Sequence, residues 1–288
     1  MRRRSRGRFG VVVAGLVMLG APFLVTGCTA GGEGEKASPV KVLRVGSDIE
    51  YAPIEFYKEN SQEAQGLDVD LAQALGAKLG MTVTFINDTD FAGIIGALRT
   101  GRFDIVMSAM NDTGERRGKG VDFIDYFRAG SSILVQKGNP KQVKGLDDLC
   151  GATVAVQKGT TQDTAILTPH EAKCRAAGRV LTVLRFEKDV DALQQVKNGR
   201  AVANLEDFPV AAYNAATSGG GADFDVIPQQ VGDVGVYGIA VPTDNGALRD
   251  RLRDALRAII DDGTYDRILT RWNVSAGALK TAAVNGGS

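Results

Sequence analysis

The sequence is poor in the residues that most protein metal sites and many hydrolase active sites use. Among its 288 residues it has one His, three Cys and one Trp. A single imidazole, His170, argues against a His-rich metal site and against a His-dependent catalytic triad. A surplus of positive charge is also missing, because 34 basic residues face 34 acidic ones. Without that surplus there is no electrostatic reason to expect a nucleic-acid partner.

The charges that are present are unevenly distributed. Residues 1–27 carry five Arg and no acidic residue, and an apolar run from Phe9 to Val25 follows the basic start. This order predicts a secretory signal peptide over residues 1–27. A transmembrane helix is the alternative, but the run of 17 residues is slightly short for a bilayer and contains Pro22. Without the five Arg, the mature chain has 29 basic against 34 acidic residues.

Small residues lead directly into a cysteine at the end of this segment. Val25-Thr26-Gly27-Cys28 resembles the bacterial lipobox, in which the Cys thiol receives a diacylglycerol and the preceding segment is removed. The resemblance implies lipidation at Cys28 and an anchor on the extracytoplasmic face of the cell membrane. Residues 28–40 are rich in Gly, Ala, Glu and Ser without apolar periodicity, which predicts a flexible tether.

Two cysteines lie beyond the tether, Cys150 and Cys174. In an oxidising extracytoplasmic compartment an isolated pair most simply forms one structural disulfide. A metal site would need further soft ligands, and a redox site would need the C-x-x-C spacing. The sequence therefore predicts a disulfide, and it predicts neither a metal nor a cofactor.

Short apolar runs alternate with amphipathic helical stretches from Val42 onward. The first series, VLRVGSD, DVDLAQALGAKLG, TVTFI, FAGIIGALRTG and DIVMSAM, reads as a β-α-β-α-β succession. A second series has the same order, with TVAVQKG, TQDTAIL, VLTVLRF, VDALQQVKNG and AVANLED. DFDVIP and VGVYGIAVP predict later strands, and two helices follow. Two similar α/β lobes predict a ligand site between them, at the carboxyl ends of strands.

These motifs together resemble a known family. RVGSDIEYAPIEF, GLDVDLAQALGAKLG, FAGIIGALRTGRFDIVMSAMNDTGERR, VDFIDYF, VAVQKGTTQ, NGRAVANLEDFPVAAYN, VYGIAVP and DGTYDRILTRW are similar in order and spacing to family 3 of the bacterial extracellular solute-binding proteins. This family contains the polar amino acid receptors of ABC importers. The resemblance implies an α/β, two-lobed periplasmic-binding-protein-like fold of type II. Each lobe would be a mostly parallel sheet flanked by helices, and two crossover strands near residues 128–133 and 230–236 would join them.

The resemblance also implies the course of the chain through the lobes. Residues 41–130 and 235–275 are expected to form lobe 1, residues 131–234 lobe 2, and residues 276–288 a C-terminal tail. Ligand binding would close the lobes by a hinge motion, which signals to the membrane permease. A monomer that delivers a free amino acid to an ABC transporter permease is therefore expected.

Arg116 is the first candidate ligand contact. In the family the Arg ends a Thr-x-x-Arg turn, which residues 113–116 match, and a guanidinium suits a carboxylate by its bidentate geometry. Asp207 matches the acid that pairs with the ligand ammonium from lobe 2. Tyr51 and Phe91 are expected to sandwich the ligand side chain. Further positions that match the family's ligand contacts are Asp48, Ser108, Ala109, Asn111, Gln157, Thr160 and Thr161.

Two of these positions depart from the family pattern. Asn111 stands where Ser or Thr is common, and Gln157 is polar where several receptors for cationic ligands carry Leu. Gln157 favours an amide or other neutral polar ligand, whereas Asp48 fits cationic and amide side chains alike. Glu50 and Glu55 would favour a cation if either faced the cleft, and Glu55 is expected to face elsewhere. The ligand side chain therefore stays open between neutral polar and cationic.

Two other functions stay open at this point. Cyclohexadienyl dehydratases share the fold, and an enzyme of that kind would need a general acid such as Glu206 or Lys158. The set of Arg116, Thr161 and Asp207 instead fits recognition of an ordinary amino acid, so no enzymatic activity is expected. The second alternative is a sensor lipoprotein that binds the same ligand without feeding an importer.

Overall fold

A computed structural model describes residues 41–88 and 90–288. The predicted signal peptide over residues 1–27, the predicted lipidation site Cys28 and the tether lie outside these residues. Within the described ranges, no helix combines the length and the apolar character that crossing a bilayer requires.

The strands follow the apolar runs of the sequence. In chain order they are β1 (Lys41–Ser47), β2 (Phe56–Tyr57), β3 (Ala64–Gln65), β4 (Met81–Asn87), β5 (Ile105–Val106), β6 (Val121–Gln136), β7 (Thr153–Gln157), β8 (Thr182–Phe186), β9 (Ala203–Asp207), β10 (Phe224–Val226) and β11 (Val231–Pro242).

The helices alternate with these strands. They are α1 (Leu67–Leu79), α2 (Ile94–Arg99), α3 (Gly114–Arg117), α4 (Thr168–Ala176), α5 (Asp189–Lys197), α6 (Phe208–Thr217), α7 (Gly246–Asp261) and α8 (Thr264–Arg271). A π-helix over Gln162–Leu167 precedes α4, and short 3-10 turns lie at Leu146–Leu149, Ser218–Gly220 and Ser275–Gly277.

One large sheet carries both lobes, in the strand order β4-β1-β5-β11-β6-β9-β7-β8, with β10 also paired to β6. β1 pairs in parallel with β4 and β5, and β7 pairs in parallel with β8 and β9. The long strands β6 and β11 lie between these two parallel groups and pair antiparallel with each other. Lobe 1 is built on the first parallel group and lobe 2 on the second, so the two-lobed α/β fold is confirmed.

Each lobe has buried clusters of its own. In lobe 1, α1, α7 and α8 cover one side of the sheet with side chains such as Leu71, Leu256 and Leu269, while α2 covers the other. In lobe 2, the largest cluster joins β7 and β9 to α4. Helices on both faces bury the inner strands β5, β7 and β9, whereas the outer strands β4 and β8 stay partly exposed.

The strand predicted from DIVMSAM is shorter than its sequence pattern indicates. β5 contains two residues, because the chain leaves the sheet before Ala109, whose φ is 45°. This left-handed conformation is uncommon for a residue with a side chain. The Ala109 N–H donates to Asp68 Oδ2 at 3.1 Å, which holds the turn in place. The turn places Ser108 and Asn111 beyond the carboxyl end of β5, where Asn111 forms an isolated bridge to Tyr237 of β11.

Cys150 and Cys174 are joined as a disulfide, in agreement with the prediction from their isolation in the sequence. Their Cα atoms are 5.2 Å apart and the sequence separation is 24 residues. The bridge ties the end of the Leu146–Leu149 turn to α4, inside the main cluster of lobe 2.

Candidate ligand-binding site

A small cavity lies between the two lobes. The loops that follow β1 and β5 line it from lobe 1, and the segments that follow β7 and β9 line it from lobe 2. All eleven residues predicted as ligand contacts line this cavity, together with Glu55 and Gln162. The lining residues are Asp48, Tyr51, Glu55, Phe91, Ser108, Ala109, Asn111, Arg116, Gln157, Thr160, Thr161, Gln162 and Asp207.

Arg116 projects into the cavity from α3. The Thr113 hydroxyl oxygen caps this short helix by accepting the Arg116 N–H at 3.3 Å. The guanidinium donates from Nη1 to the Asn111 carbonyl at 2.9 Å, and its centre lies 5.4 Å from the centroid of the Phe91 ring. Burial lowers the pKa of Arg116 to about 10, so the group stays cationic at neutral pH.

Asp207 is the last residue of β9 and lines the cavity from lobe 2. The Tyr51 hydroxyl donates to Asp207 Oδ2 at 3.1 Å and accepts the Asp207 N–H at 2.9 Å. Gln162 Nε2 donates to Oδ1 at 3.0 Å. Burial raises the pKa of Asp207 to about 6, against these hydrogen bonds, which favour the ionised form. At neutral pH the cavity therefore presents a guanidinium from one lobe and a carboxylate from the other.

Two further carboxyl groups line the cavity, from Asp48 and Glu55. The Asp48 N–H donates to Ser108 Oγ at 3.0 Å, and this hydroxyl donates to Glu55 Oε1 at 2.9 Å. Among the described residues, Asp48 Oδ1 and Glu55 Oε2 are buried without a hydrogen-bond partner. Because a buried polar atom without a partner is costly, this part of the cavity suits a ligand that carries hydrogen-bond donors.

Burial controls the charge of these carboxyl groups. It raises the pKa of Asp48 to about 7, while the hydrogen bond from Gln157 opposes the shift. Glu55 is 1% exposed and its pKa is raised well above the usual range, first by burial and then by the nearby Asp68. Like-charged neighbours in a buried place favour retention of a proton. A positive charge placed beside Asp48 and Glu55 would favour their ionised forms.

Direct hydrogen bonds also join the lobes across the cavity. Thr161 Oγ1 donates to Asn111 Oδ1 at 2.9 Å, and Gln157 Nε2 donates to Asp48 Oδ2 at 2.6 Å. Arg116 Nη2 donates to the Gly159 carbonyl at 3.0 Å. The two residues that depart from the family pattern, Asn111 and Gln157, thus both take part in bonds between the lobes.

The lobes also approach each other at Gly159, whose φ is 77°. A Cβ added there would lie 2.7 Å from Ala92 Cβ and 2.9 Å from Ala92 Cα. A glycine is therefore required for the two backbones to come this close.

The turn that follows β7 was predicted to start a helix. The Thr160 hydroxyl donates to the Gln157 carbonyl at 2.8 Å and accepts the Asp163 N–H at 3.2 Å, which is the contact of a capping residue. Thr161 uses its hydroxyl across the cleft instead.

Two cavity residues were not predicted from the sequence, and one prediction is wrong. Glu55 does not face elsewhere, because the Ser108 hydroxyl holds its carboxylate in the wall of the cavity. Gln162 lies next to the predicted Thr161, and its amide also donates to Ser131 Oγ at 2.8 Å, beside β9. The position of Gln162 directly after the two threonines was the available signal.

The general acids considered for an enzyme do not line the cavity. Glu206 is buried beside Asp207 in β9, where the Asn214 amide donates to its carboxylate at 3.1 Å. Lys158 pairs with Glu187 at 3.0 Å in an exposed salt bridge. The cavity therefore combines groups that suit a zwitterion without either of these two residues.

Similarity to known proteins agrees with this geometry. An arginine-binding protein of Corynebacterium glutamicum is 32% identical over 248 residues, which cover 85% of this chain and 78% of that protein. The solved structure of an ancestral arginine-binding protein bound to arginine aligns with a TM-score of 0.73 and 36% identity, over 80% of this chain and 97% of that one.

A second solved structure bears on the enzymatic alternative. It is an ancestral amino acid-binding protein described as a precursor of cyclohexadienyl dehydratase, with a TM-score of 0.70 and 38% identity, and it covers 80% of this chain and 95% of that one. The model of one family, the bacterial extracellular solute-binding proteins, family 3, matches residues 43–275. Because that match spans most of the sequence, the chain belongs to family 3 of the bacterial extracellular solute-binding proteins.

Proposed function

We propose that this protein is an extracytoplasmic receptor lipoprotein that binds arginine between its two lobes and delivers it to an ABC transporter permease. The family and the arginine-binding relative support a receptor for an amino acid. The basic and apolar start of the sequence, followed by Val25-Thr26-Gly27-Cys28, supports export and lipid anchoring.

The observation that carries the choice of arginine is the pair of buried carboxyl groups in the cavity. Asp48 and Glu55 each have a buried oxygen atom that lacks a hydrogen-bond partner within the described chain, and Glu55 lies beside a third buried carboxyl group, that of Asp68. A guanidinium has five N–H donors and a permanent positive charge, which satisfies such oxygen atoms better than a neutral amide does. A cationic side chain is therefore favoured over the neutral polar one that Gln157 had favoured.

The main-chain groups of the ligand would meet the opposite charges of the two lobes. Arg116 would donate charge-assisted N–H bonds to the α-carboxylate, and Asp207 would accept N–H bonds from the α-ammonium. A zwitterion held in this way links one lobe to the other and stabilises the closed form. Because the ligand binds the closed form preferentially, its binding shifts the population toward closure, which is the signal that a permease can recognise.

Calorimetry of the mature protein with the twenty amino acids, ornithine and citrulline tests the proposal. Arginine should bind most tightly. Arg116→Ala and Asp207→Asn should each weaken arginine binding by about 30-fold or more, since an unpaired ligand charge in a buried site costs about 2–5 kcal/mol. Arg200→Ala removes an exposed Arg away from the cavity and serves as the matched control. Binding that persists unchanged in Arg116→Ala would contradict the proposed carboxylate contact.

The same preparation separates the alternative functions. Turnover of a cyclohexadienyl substrate would place the protein among the enzymes. Import of labelled arginine by cells that carry the protein, lost in a deletion strain and restored by the gene, supports transport over sensing. Mass spectrometry of the protein from the membrane fraction should find a chain that begins at a diacylglyceryl-modified Cys28.

A further inference from the structure

The last residues of the chain pack against lobe 1 beside the candidate site. The C-terminal segment, defined as residues 283–288, lies beyond residues 43–275, which match the family model. It follows the Ser275–Gly277 turn and runs along β6 toward α3, the helix that carries Arg116. Its contacts therefore lie outside the part of the chain that the family model matches.

Paired hydrogen bonds fix the segment to β6. The Asp125 N–H donates to the Ala283 carbonyl at 3.0 Å, and the Asn285 N–H donates to the Phe123 carbonyl at 3.0 Å. The Asn285 side chain adds two more, because its Oδ1 accepts the Phe123 N–H at 2.8 Å and its Nδ2 donates to Asp122 Oδ1 at 2.9 Å. Four hydrogen bonds to three positions of one strand, 122, 123 and 125, define the register of the segment.

Two glycines then cross a pair of buried carboxylates. The Gly286 N–H donates to Asp125 Oδ2 at 3.0 Å, and the Gly287 N–H donates to Asp112 Oδ2 at 2.8 Å. A Cβ at Gly286 would lie 2.7 Å from Asp125 Oδ2, and one at Gly287 would lie 2.2 Å from the Asp112 carbonyl oxygen. The close approach thus requires residues without side chains, and the two N–H groups stabilise carboxylates that burial would otherwise disfavour.

Ser288 ends the contact at the start of α3. Its carbonyl oxygen accepts the Gly114 N–H at 2.7 Å and a bond from Arg117 Nη2 at 3.2 Å. Arg117 also pairs with Asp112 through Nη1 at 2.6 Å. The first N–H groups of a helix have no partner within the helix, so Ser288 supplies one that α3 lacks.

We infer that the C-terminal segment positions Arg116 for the ligand carboxylate by fixing the start of α3. The inference rests on the proposed function for its consequence in binding. Thr113 caps α3 from one side and Ser288 from the other, and a helix of four residues has little stability of its own. The segment acts through α3 and does not line the cavity itself.

Hydrogen exchange of the unliganded protein tests the contact without any ligand. A variant that lacks residues 283–288, and separately Gly287→Val, should exchange the Gly114 amide about tenfold faster, as expected for the loss of one hydrogen bond. Lys280→Ala changes an exposed residue just before the segment and should leave this exchange unchanged. Amides of α5 in lobe 2 serve as the internal reference. Equal exchange at Gly114 in the wild type and both variants would overturn the inference.

Binding then distinguishes positioning of Arg116 from a general loss of structure. In both variants arginine should bind about tenfold more weakly, whereas argininamide, which has no carboxylate, should keep its wild-type affinity. In an Arg116→Ala background the deletion should have no further effect on arginine binding. An equal loss for arginine and argininamide, or no loss for either, would overturn the inference. If the wild type binds no arginine, the proposed ligand is wrong, and the exchange experiment alone decides the role of the segment.

Discussion

Asp48 lines the cavity with a carboxyl group whose pKa lies near neutral pH. One of its oxygen atoms accepts from Gln157 across the cleft, and the other has no partner among the described residues. With its pKa raised to about 7 by burial, the carboxyl group is about half protonated at neutral pH. A cationic ligand side chain favours the ionised form, so binding of such a ligand releases a proton.

Arginine binding should therefore strengthen as the pH rises through 7. Between pH 8 and pH 6, a group with a pKa of about 7 goes from mostly ionised to mostly protonated, which weakens a contact with a cation by about tenfold. Citrulline has a neutral urea in place of the guanidinium, so its affinity should fall much less between pH 8 and pH 6. Protonation of Asp207, whose pKa is about 6, should weaken the binding of both ligands by the same, smaller factor. Calorimetry at pH 6, 7 and 8 gives the comparison.

The control for this prediction is Asp48→Asn. It keeps a polar side chain of the same shape but cannot ionise, so the difference between the pH profiles of arginine and citrulline should shrink. Parallel profiles for the two ligands in the wild type would contradict a role for Asp48 beside a cationic side chain.

The residues of the site were predictable where a short motif carries them. Arg116 was predicted because residues 113–116 match the family's Thr-x-x-Arg turn, and Thr160 and Thr161 because residues 159–162 match another turn of the family. The place of Glu55 in the cavity wall was not predictable, because the orientation of its side chain depends on the Ser108 hydroxyl, 53 residues away in the chain. A contact between distant segments leaves no pattern in either of them, so the sequence alone could not place this carboxylate.

At the scale of elements, the π-helix over Gln162–Leu167 departs from the ordinary helix expected for TQDTAIL. The Thr168 N–H and hydroxyl both reach the Asp163 carbonyl, five residues back, the hydroxyl at 2.9 Å. Pro169 follows and has no N–H with which to continue an α-helical ladder. The wider turn leaves Gln162 able to reach both Ser131 and Asp207, in keeping with the frequent occurrence of π-helices at functional sites.

The disulfide belongs to the same scale, because it joins two elements of lobe 2. Replacing both Cys150 and Cys174 by Ser should lower the free energy of unfolding by about 3 kcal/mol, chiefly because the unfolded chain loses a loop constraint. Arginine affinity should change little, since neither residue lines the cavity. Urea unfolding followed by circular dichroism measures the first effect and calorimetry the second.

Wild-type protein treated with a reductant is the natural comparison for that variant. It should resemble the double Ser variant in stability. Peptide mapping without reduction should find Cys150 and Cys174 joined in the exported protein. Free thiols on both residues would contradict the disulfide.

At the scale of the whole molecule, hydrogen bonds between the lobes accompany closure. Asn111 with Thr161 and Gln157 with Asp48 form two of them directly, without a ligand between the partners. Each such bond favours the closed form and lowers the free energy that ligand binding must supply to close the cleft.

Removing both bonds should open the unliganded protein. In the variant Asn111→Ala with Gln157→Leu, the radius of gyration from small-angle X-ray scattering should rise in the absence of ligand and return on saturation with arginine. The affinity should fall by about tenfold, because two modest hydrogen bonds no longer assist closure. Gln194→Leu, on the surface of α5, is a control for the loss of an amide. An unchanged radius of gyration would show that the bonds do not bias the lobes.

The architecture as a whole was more predictable than its details. The alternation of apolar runs and amphipathic helices indicated two α/β lobes, since periodicity reports burial directly. The path of residues 276–288 could not be predicted in this way, because backbone and carboxylate contacts hold much of the segment, and only a few small apolar side chains, such as Ala282 and Val284, pack against the core of lobe 1. The same holds for the early end of β5. This strand is followed at Ala109 by a left-handed conformation, which residues with a side chain rarely adopt.

The contact of Gly159 with Ala92 has a consequence for the range of molecules that the protein accepts. A Cβ at residue 159 would overlap Ala92, so a residue with a side chain there would hold the lobes further apart than they lie here. The width of the cleft, and with it the length of ligand that fits between Arg116 and Asp207, thus depends on this residue pair as well as on the groups that recognise charge.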